Sequence, residues 1–133
     1  MEKRIINPPS LPKPRGFSHG ILISGGKILF LAGQDGSGPD GKMVAPGDLV
    51  GQFEQALKNL RTVAETAGGT AADIVKLTIF VRRRDEYMSK LKELGRVYRA
   101  CFGDNWPAMA LFETSGFFND GALIEIEGFA ALP

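Results

Sequence analysis

The sequence predicts an α+β fold, a two-layer sandwich in which two helices cover one face of a β-sheet. Two segments, roughly 48–67 and 85–102, repeat apolar residues at the spacing of a helical stripe. The other apolar residues fall in shorter runs that are typical of strands. The resulting order, β-β-(β)-α-β-α-β-β, has too few helices to cover both faces of the sheet.

The N-terminal region is predicted to hold an extended arm followed by a β-hairpin. Four prolines occur within 7–16, and proline lacks the amide donor that helices and inner strands need. Two runs rich in Ile, Leu and Phe follow, on either side of Ser24-Gly25-Gly26-Lys27. Because glycine adopts the positive φ of tight turns at no steric cost, this segment predicts a hairpin.

The first predicted helix has a signal at each end. Asp48 is a candidate N-cap, and Gly68-Gly69 is a candidate stop. Both helices carry an apolar stripe that would face the sheet. The stripes consist of Leu49, Phe53, Leu57, Leu60, Ala64 and Ala67 in the first helix and Tyr87, Leu91, Leu94, Tyr98 and Cys101 in the second.

The strands predicted at 75–81 and 107–114 carry apolar residues on both of their faces. Helices on a single side of the sheet leave the other side without cover inside the chain. An exposed apolar face of that extent usually binds a partner. We therefore expect a homo-oligomer that packs sheet against sheet.

The last predicted strand contains two acidic residues in the otherwise apolar run ALIEIEGFA, 122–130. Side chains alternate between the faces of a strand, so Glu125 and Glu127 point to one side. Ile124 and Ile126 point to the other side. The glutamates either line a functional cleft or form ion pairs with Lys or Arg of a neighbouring protomer.

Length and composition indicate a single domain, residues 1–133, of an ordinary globular class. With 16 basic and 15 acidic residues the net charge is +1, which favours neither nucleic acid nor an anionic membrane as a partner. Cys101 is the only cysteine and His19 the only histidine, which excludes an intrachain disulfide, a cysteine-pair metal site and two-histidine metal motifs. We predict no metal and no cofactor. The N-terminus lacks an apolar run of signal-peptide length, and we expect a cytoplasmic protein.

The loop after the predicted hairpin matches two phosphate-binding sequence patterns. In both cases it lacks a feature that the binding mechanism requires. GSGPDG, 36–41, matches G-x-G-x-x-G, but Pro39 and Asp40-Gly41 predict a turn where a helix must open. GSGPDGKM, 36–43, approaches a P-loop, but Met43 stands where a hydroxyl must hold magnesium. We interpret the segment as a surface loop.

Several segments together resemble the RidA family, also called the YjgF family, of small imine and enamine deaminases. They are GFSHGILISGGKILFLAGQD, QFEQALKNLRTVAETAGGTAADIVKLTIFV, VYRACFGDNWPAMALFE and LIEIEGFA, which span nearly the whole chain. The resemblance implies a chorismate-mutase-like α+β fold with a mixed sheet. It also implies a homotrimer with ligand sites in the clefts between subunits, in agreement with the uncovered sheet face.

The resemblance also implies which residues form the site. Family deaminases use an arginine after Pro-Ala to clamp the substrate carboxylate, the first glutamate of Glu-Ile-Glu to hold water, and an N-terminal tyrosine. The glutamate is present as Glu125, the tyrosine position is Phe17, and the arginine position is Met109. We therefore predict Glu125 as the catalytic residue of a small-molecule site. Its predicted substrate-binding residues are Phe17, Gly33, Met109, Leu111 and Phe112.

The replacement of the family's tyrosine by Phe17 and of its arginine by Met109 changes the expected chemistry. An arginine fork makes two charge-assisted hydrogen bonds to a carboxylate, and losing them should weaken binding of a 2-imino acid roughly 10²- to 10⁴-fold. We therefore expect hydrolysis of imine or enamine intermediates other than 2-imino acids. The segment DEYMSKLKELGRVY, 85–98, also departs from the family's usual helix start and lacks its asparagine before the tyrosine.

Two other functions remain open. The loss of two of the three polar site groups suits a trimer that binds or senses a small ligand without turnover. Ribonuclease activity or translation inhibition, which is attributed to some relatives, is supported only by the basic cluster Arg82-Arg83-Arg84. That cluster also suits a solvated strand end, and no acid–base pair for RNA cleavage is apparent.

Overall fold

A computed structural model describes residues 1–133, and its central feature is a four-stranded sheet in the order β3-β6-β4-β5. A separate two-stranded sheet, β1-β2, holds the N-terminus. A short 3-10 turn, Ala71–Asp73, precedes β4. The elements are β1 (Glu2–Ile6), β2 (Gly20–Ser24), β3 (Lys27–Gln34), α1 (Leu49–Thr66), β4 (Ile74–Val81), α2 (Arg84–Ser89), α3 (Leu91–Phe102), β5 (Ala108–Glu113) and β6 (Ile124–Leu132).

The predicted α+β sandwich with a mixed sheet is confirmed. β4 and β5 run parallel, whereas β6 pairs antiparallel with both β3 and β4. The helices pack on one side of this sheet, which we call the helix face; the opposite side is the open face. The core between sheet and helices is apolar, and its fully buried members include Leu57, Leu60, Ile74, Leu77, Val81, Ile124 and Ile126.

The first helix follows its sequence signals closely. The Asp48 side chain accepts a hydrogen bond from the amide of Gly51 at 3.1 Å, and α1 then runs from Leu49 to Thr66. Gly68 has a φ of 93°, a conformation that only glycine adopts without strain. Because α1 begins at Leu49, its N-terminus lies beyond the glycine-rich motif 36–41, as the turn in that motif predicts.

The prediction of a second continuous helix is wrong. The segment forms α2 and α3, which are separated at Lys90, so the chain has three helices rather than two. The Ser89 hydroxyl donates to the Glu86 carbonyl at 2.7 Å. A serine that bonds to a nearby backbone carbonyl competes with helical geometry, which explains why the helix ends there.

The prediction of an N-terminal hairpin is also wrong. Gly25 and Gly26 do form a tight connection with φ values of 72° and 77°. The strands on either side enter different sheets, because β2 pairs with β1 and β3 pairs with β6. The missed partner, β1, lies N-terminal to the proline-rich arm, whose residues 7–16 form no strand or helix.

A fully buried polar side chain joins the loops near the carboxyl end of β3 and the start of β6. The Gln52 amide nitrogen donates to the carbonyls of Ala45 and Gly121, at 3.2 Å each. Its oxygen accepts from the amide of Leu123 at 2.8 Å. Gln52 thereby connects loop 35–48 to the segment that leads into Ile124–Leu132.

Substituting Gln52→Leu is expected to lower the free energy of unfolding by about 2–4 kcal/mol. The leucine has a similar volume, but it leaves the Leu123 amide and the Gly121 carbonyl without their partner, and each such group costs about 1–3 kcal/mol. The Ala45 carbonyl still accepts a hydrogen bond from the amide of Asp48. Urea denaturation of both proteins measures the difference. Gln55→Leu on the same helix is the matched control, since Gln55 makes one partly solvated bond to Asn59. Equal losses in the two variants would contradict the role of Gln52.

Candidate functional site

Phe17 is held beside the start of β5 by its neighbour Ser18. The buried Ser18 hydroxyl donates to the Trp106 carbonyl at 2.6 Å, and its amide donates to the Pro107 carbonyl at 3.0 Å. Ser18 also forms a bridge with Ala108. The arm that precedes β2 is therefore anchored along this edge of the sheet, which brings Phe17 to the strand that carries Met109.

A cavity of about 640 Å³ lies on the helix side of β5, and we call it the β5 cavity. The register places Met109 beside Leu77 and Leu111 beside Ile79. Leu77 and Ile79 belong to the buried core on the helix face, so Met109 and Leu111 share that face. Side chains of α2 and α3 form the opposite wall, and Phe17 lines the cavity as well.

Glu125 lies on the open face. It stands opposite Phe80 of β4, whose ring stacks on Phe112 of β5 with a centroid distance of 6.0 Å. Gly33 of β3 lies directly beside it, since a Cβ at Gly33 would be only 3.1 Å from Cδ of Glu125. The chain thus brings Glu125, Gly33 and Phe112 to one surface, and Phe80, which no sequence motif marks as a site residue, lies beside them.

The carboxyl group of Glu125 has an unusual environment for an acid at a surface. It is partly buried, and this burial raises the pKa of Glu125 above its usual value, with smaller contributions from the nearby charges of Asp35 and Glu127. The ion pairs of the chain are Lys58–Glu54, Arg61–Glu65, Arg84–Asp85 and Lys90–Glu86, and they include neither Glu125 nor Glu127. No cation of the same chain neutralises this acidic strand.

The predicted site residues therefore form two groups on opposite sides of the sheet. Phe17, Met109 and Leu111 line the β5 cavity, whereas Glu125, Gly33 and Phe112 lie on the open face. One chain does not bring Met109 to Glu125, and the expectation that Met109 and Phe112 share one lining fails within the protomer. The sequence does contain a signal for this separation, which is the alternation of side chains along β5. Ala108, Ala110 and Phe112 point to one face of the sheet, and Met109 and Leu111 point to the other.

The open face carries a cluster of exposed apolar side chains. Phe30 is 74% exposed, Ile28 60% and Phe112 53%, and the Phe30 ring meets Phe129 edge to face at 5.3 Å. The prediction of an uncovered apolar sheet face is confirmed. Exposed apolar surface of this kind is typical of a face that binds another protein.

Other classes of site find little support in the chain. No three His, Cys, Asp or Glu side chains lie close enough to share a metal ion. Nε2 of His19 donates a hydrogen bond to the Pro12 carbonyl at 2.7 Å, and the ring meets Phe17 edge to face, which ties His19 to the N-terminal arm. None of the helices combines the length and apolar character that crossing a membrane requires.

The fold and these two surfaces define a class of small α+β proteins that have helices on one side of the sheet and an acidic, aromatic surface on the other. The chain belongs to the Endoribonuclease L-PSP family, which is the RidA or YjgF family; the family model matches residues 10–132. The resemblance in the sequence is thereby confirmed.

Relatives and solved structures agree over nearly the full length. A RutC family protein of Pyrococcus horikoshii is 34% identical over 128 residues, which cover 96% of this chain and 97% of that protein. Human 2-iminobutanoate/2-iminopropanoate deaminase is 26% identical over 129 residues, 96% of this chain and 89% of the human protein. The structure of the Rid family protein YyfB of Yersinia pestis matches with a TM-score of 0.89 and 32% identity, covering 99% of this chain and 100% of that one.

Proposed function

We propose that the protein is a homotrimer that hydrolyses imine or enamine intermediates other than 2-imino acids at sites between its subunits. The observation that carries this proposal is the placement of the site residues. Met109 and Glu125 project from opposite faces of the sheet, so they can share a cleft only if they come from different protomers. The exposed apolar open face supplies a surface on which such an assembly can form.

In the proposed cleft, Glu125 of one protomer acts on water beside the β5 cavity of the next. Its carboxylate accepts a proton from the water as the oxygen attacks the C=N carbon, and it then returns that proton to the nitrogen. The carbinolamine then expels ammonia, so that imine and water give a carbonyl compound and ammonia. An enamine enters the same route after it tautomerises to the imine. A pKa of Glu125 raised by burial makes the carboxylate a better base near neutral pH.

The apolar cavity supports the substrate class. The inner wall, formed by Phe17, Met109 and Leu111, offers no charged group to an α-carboxylate, and methionine makes that wall flexible and polarisable. The arginines of the cavity, Arg15 and Arg99, are exposed and stand at its mouth, away from this wall. Burying an unpaired carboxylate against such a wall is costly. The 2-imino acids named for the human relative therefore fit this chain poorly, and imines with an apolar carbon skeleton fit better.

A second candidate is a trimer that binds a small ligand without turnover. It is favoured by the absence of a hydroxyl at Phe17 and of a guanidinium at Met109, which leaves Glu125 as the single ionisable group among the predicted site residues. A ligand that raises the melting temperature while remaining chemically unchanged would support this candidate.

The test is a coupled assay of ammonia release from freshly generated imines. We expect the protein to accelerate hydrolysis of an apolar imine without a carboxylate more than that of 2-iminopropanoate. Buffer and heat-denatured protein serve as controls, because imines hydrolyse spontaneously. If no imine is hydrolysed faster than in buffer, the hydrolase proposal is wrong, and the trimer that binds a ligand without turnover becomes the favoured function. Faster hydrolysis of 2-iminopropanoate would overturn the proposed substrate class.

A further inference from the structure

The β5 cavity is apolar, yet two arginines stand on its wall. Twelve of its 16 lining residues are hydrophobic, and its charged members are Arg15, from the N-terminal arm, and Arg99, from α3. No carboxylate lines the cavity. Neither arginine forms an ion pair, whereas Arg61 and Arg84 pair with acidic neighbours. The cavity thus combines an apolar body with positive charge that the chain leaves without a counter-ion.

The guanidinium of Arg99 lies close to Gly95, one turn earlier in α3. A Cβ at Gly95 would lie 3.2 Å from Nη1 of Arg99, so the absent side chain provides the space in which the guanidinium lies. Gly95 does not have a positive φ, and the backbone there does not require glycine. Glycine inside a helix is destabilising relative to alanine. Glycine at this position leaves open the space beside the guanidinium.

We propose that the β5 cavity binds an apolar chain that ends in a carboxylate, with Arg99 and Arg15 holding the carboxylate at the cavity mouth. Both arginines are exposed, whereas Met109 and Leu111 are partly buried, which places the charge outside and the apolar wall inside. A guanidinium presents two parallel N–H donors to a carboxylate and remains charged at every physiological pH. Charge complementarity therefore selects an anionic group, and the cavity wall selects a hydrocarbon.

This inference deepens the proposed function. It assigns as substrate an imine whose carboxylate lies at the far end of an apolar chain from the C=N bond, rather than next to that bond. It rests on the proposed function only in calling the ligand a substrate. Binding itself requires neither Glu125 nor turnover.

The test compares hexanoate with hexanamide, which has the same chain and no charge. Titrations followed by the NMR spectrum of the protein give both affinities and the location of binding. We expect hexanoate to bind roughly tenfold more tightly, since the charge-assisted bonds form at a partly solvated mouth. Because exposed charges are screened by salt, the preference should decrease between low and high ionic strength.

Two variants of one helix give the matched comparison. Arg99→Met should remove most of the preference for hexanoate, whereas Arg96→Met, which changes an exposed arginine outside the cavity, should retain it. Equal binding of hexanoate and hexanamide, an unchanged preference in Arg99→Met, or no binding of either compound would overturn the inference. None of these results bears on ammonia release from other imines, so failure of the two proposals can be told apart.

Discussion

Glu125→Gln is expected to lower the rate of imine hydrolysis by about 10²- to 10⁴-fold, the usual contribution of a positioned general base. Glutamine keeps the shape of the side chain and its packing beside Gly33, but it cannot accept a proton from water. The measurement is kcat/KM for ammonia release from the best apolar imine. Glu127→Gln is the matched control, because Glu127 lies on the same face two residues further along and is more exposed.

The pH dependence gives an independent check on the role of Glu125. The wild-type kcat/KM should fall as the pH decreases through the pKa of Glu125, which lies above the usual value of 4.5 because of burial. Glu127→Gln should keep this limb of the profile, and Glu125→Gln should lose it.

A measurement of unfolding distinguishes a catalytic role of Glu125 from a structural one. The pKa of Glu125 is raised in the folded state, so ionisation of the group costs stability as the pH rises through that pKa. At pH 7 Glu125→Gln should therefore unfold no more readily than the wild type. An active Glu125→Gln variant, or one that loses activity only because it unfolds, would contradict a catalytic role for this residue.

Met109→Arg is expected to raise hydrolysis of 2-iminopropanoate by roughly 10²- to 10⁴-fold, because a guanidinium adds two charge-assisted bonds to the α-carboxylate. The β5 cavity of about 640 Å³ has room for the longer side chain. The measurement is ammonia release from 2-iminopropanoate compared with the wild type. Met88→Arg is the control: Met88 also lines the cavity, so it adds the same charge at a different place. A comparable gain in both variants would show that charge alone, and not position 109, is responsible.

Mixing experiments test whether the cleft is shared between protomers. A Met109→Arg/Glu125→Gln double variant should be inactive on 2-iminopropanoate, and the wild type should be poorly active. If the protein assembles as proposed, mixed oligomers formed by refolding the two together would contain clefts that combine an arginine at position 109 with an intact Glu125. Activity should therefore appear in the mixture. Its absence, with Met109→Arg alone active, would mean that one protomer supplies both groups.

Local sequence signals predicted much of this fold. The capping aspartate, the apolar stripe and the two glycines define α1 to within one residue or so at each end, because helix ends depend on groups within one turn. Alternation along β6 predicted that Glu125 and Glu127 share one face, with Ile124 and Ile126 fully buried on the other. The apolar character of both faces of β4 and β5 predicted an uncovered sheet face. Each of these conclusions depends on neighbours close in sequence.

Only the tertiary structure decided which strands pair. Gly25 and Gly26 suit a hairpin, yet β2 pairs with β1 and β3 with β6, since backbone hydrogen bonds form with whichever strand the whole sheet brings alongside. The tertiary structure also decided how the site residues are placed. The alternation in the last strand drew attention to Glu125, and the resemblance to the family identified Met109. Their placement on opposite faces follows from the register of β5 and β6 with β4, which is determined by the packing of the core against the helices.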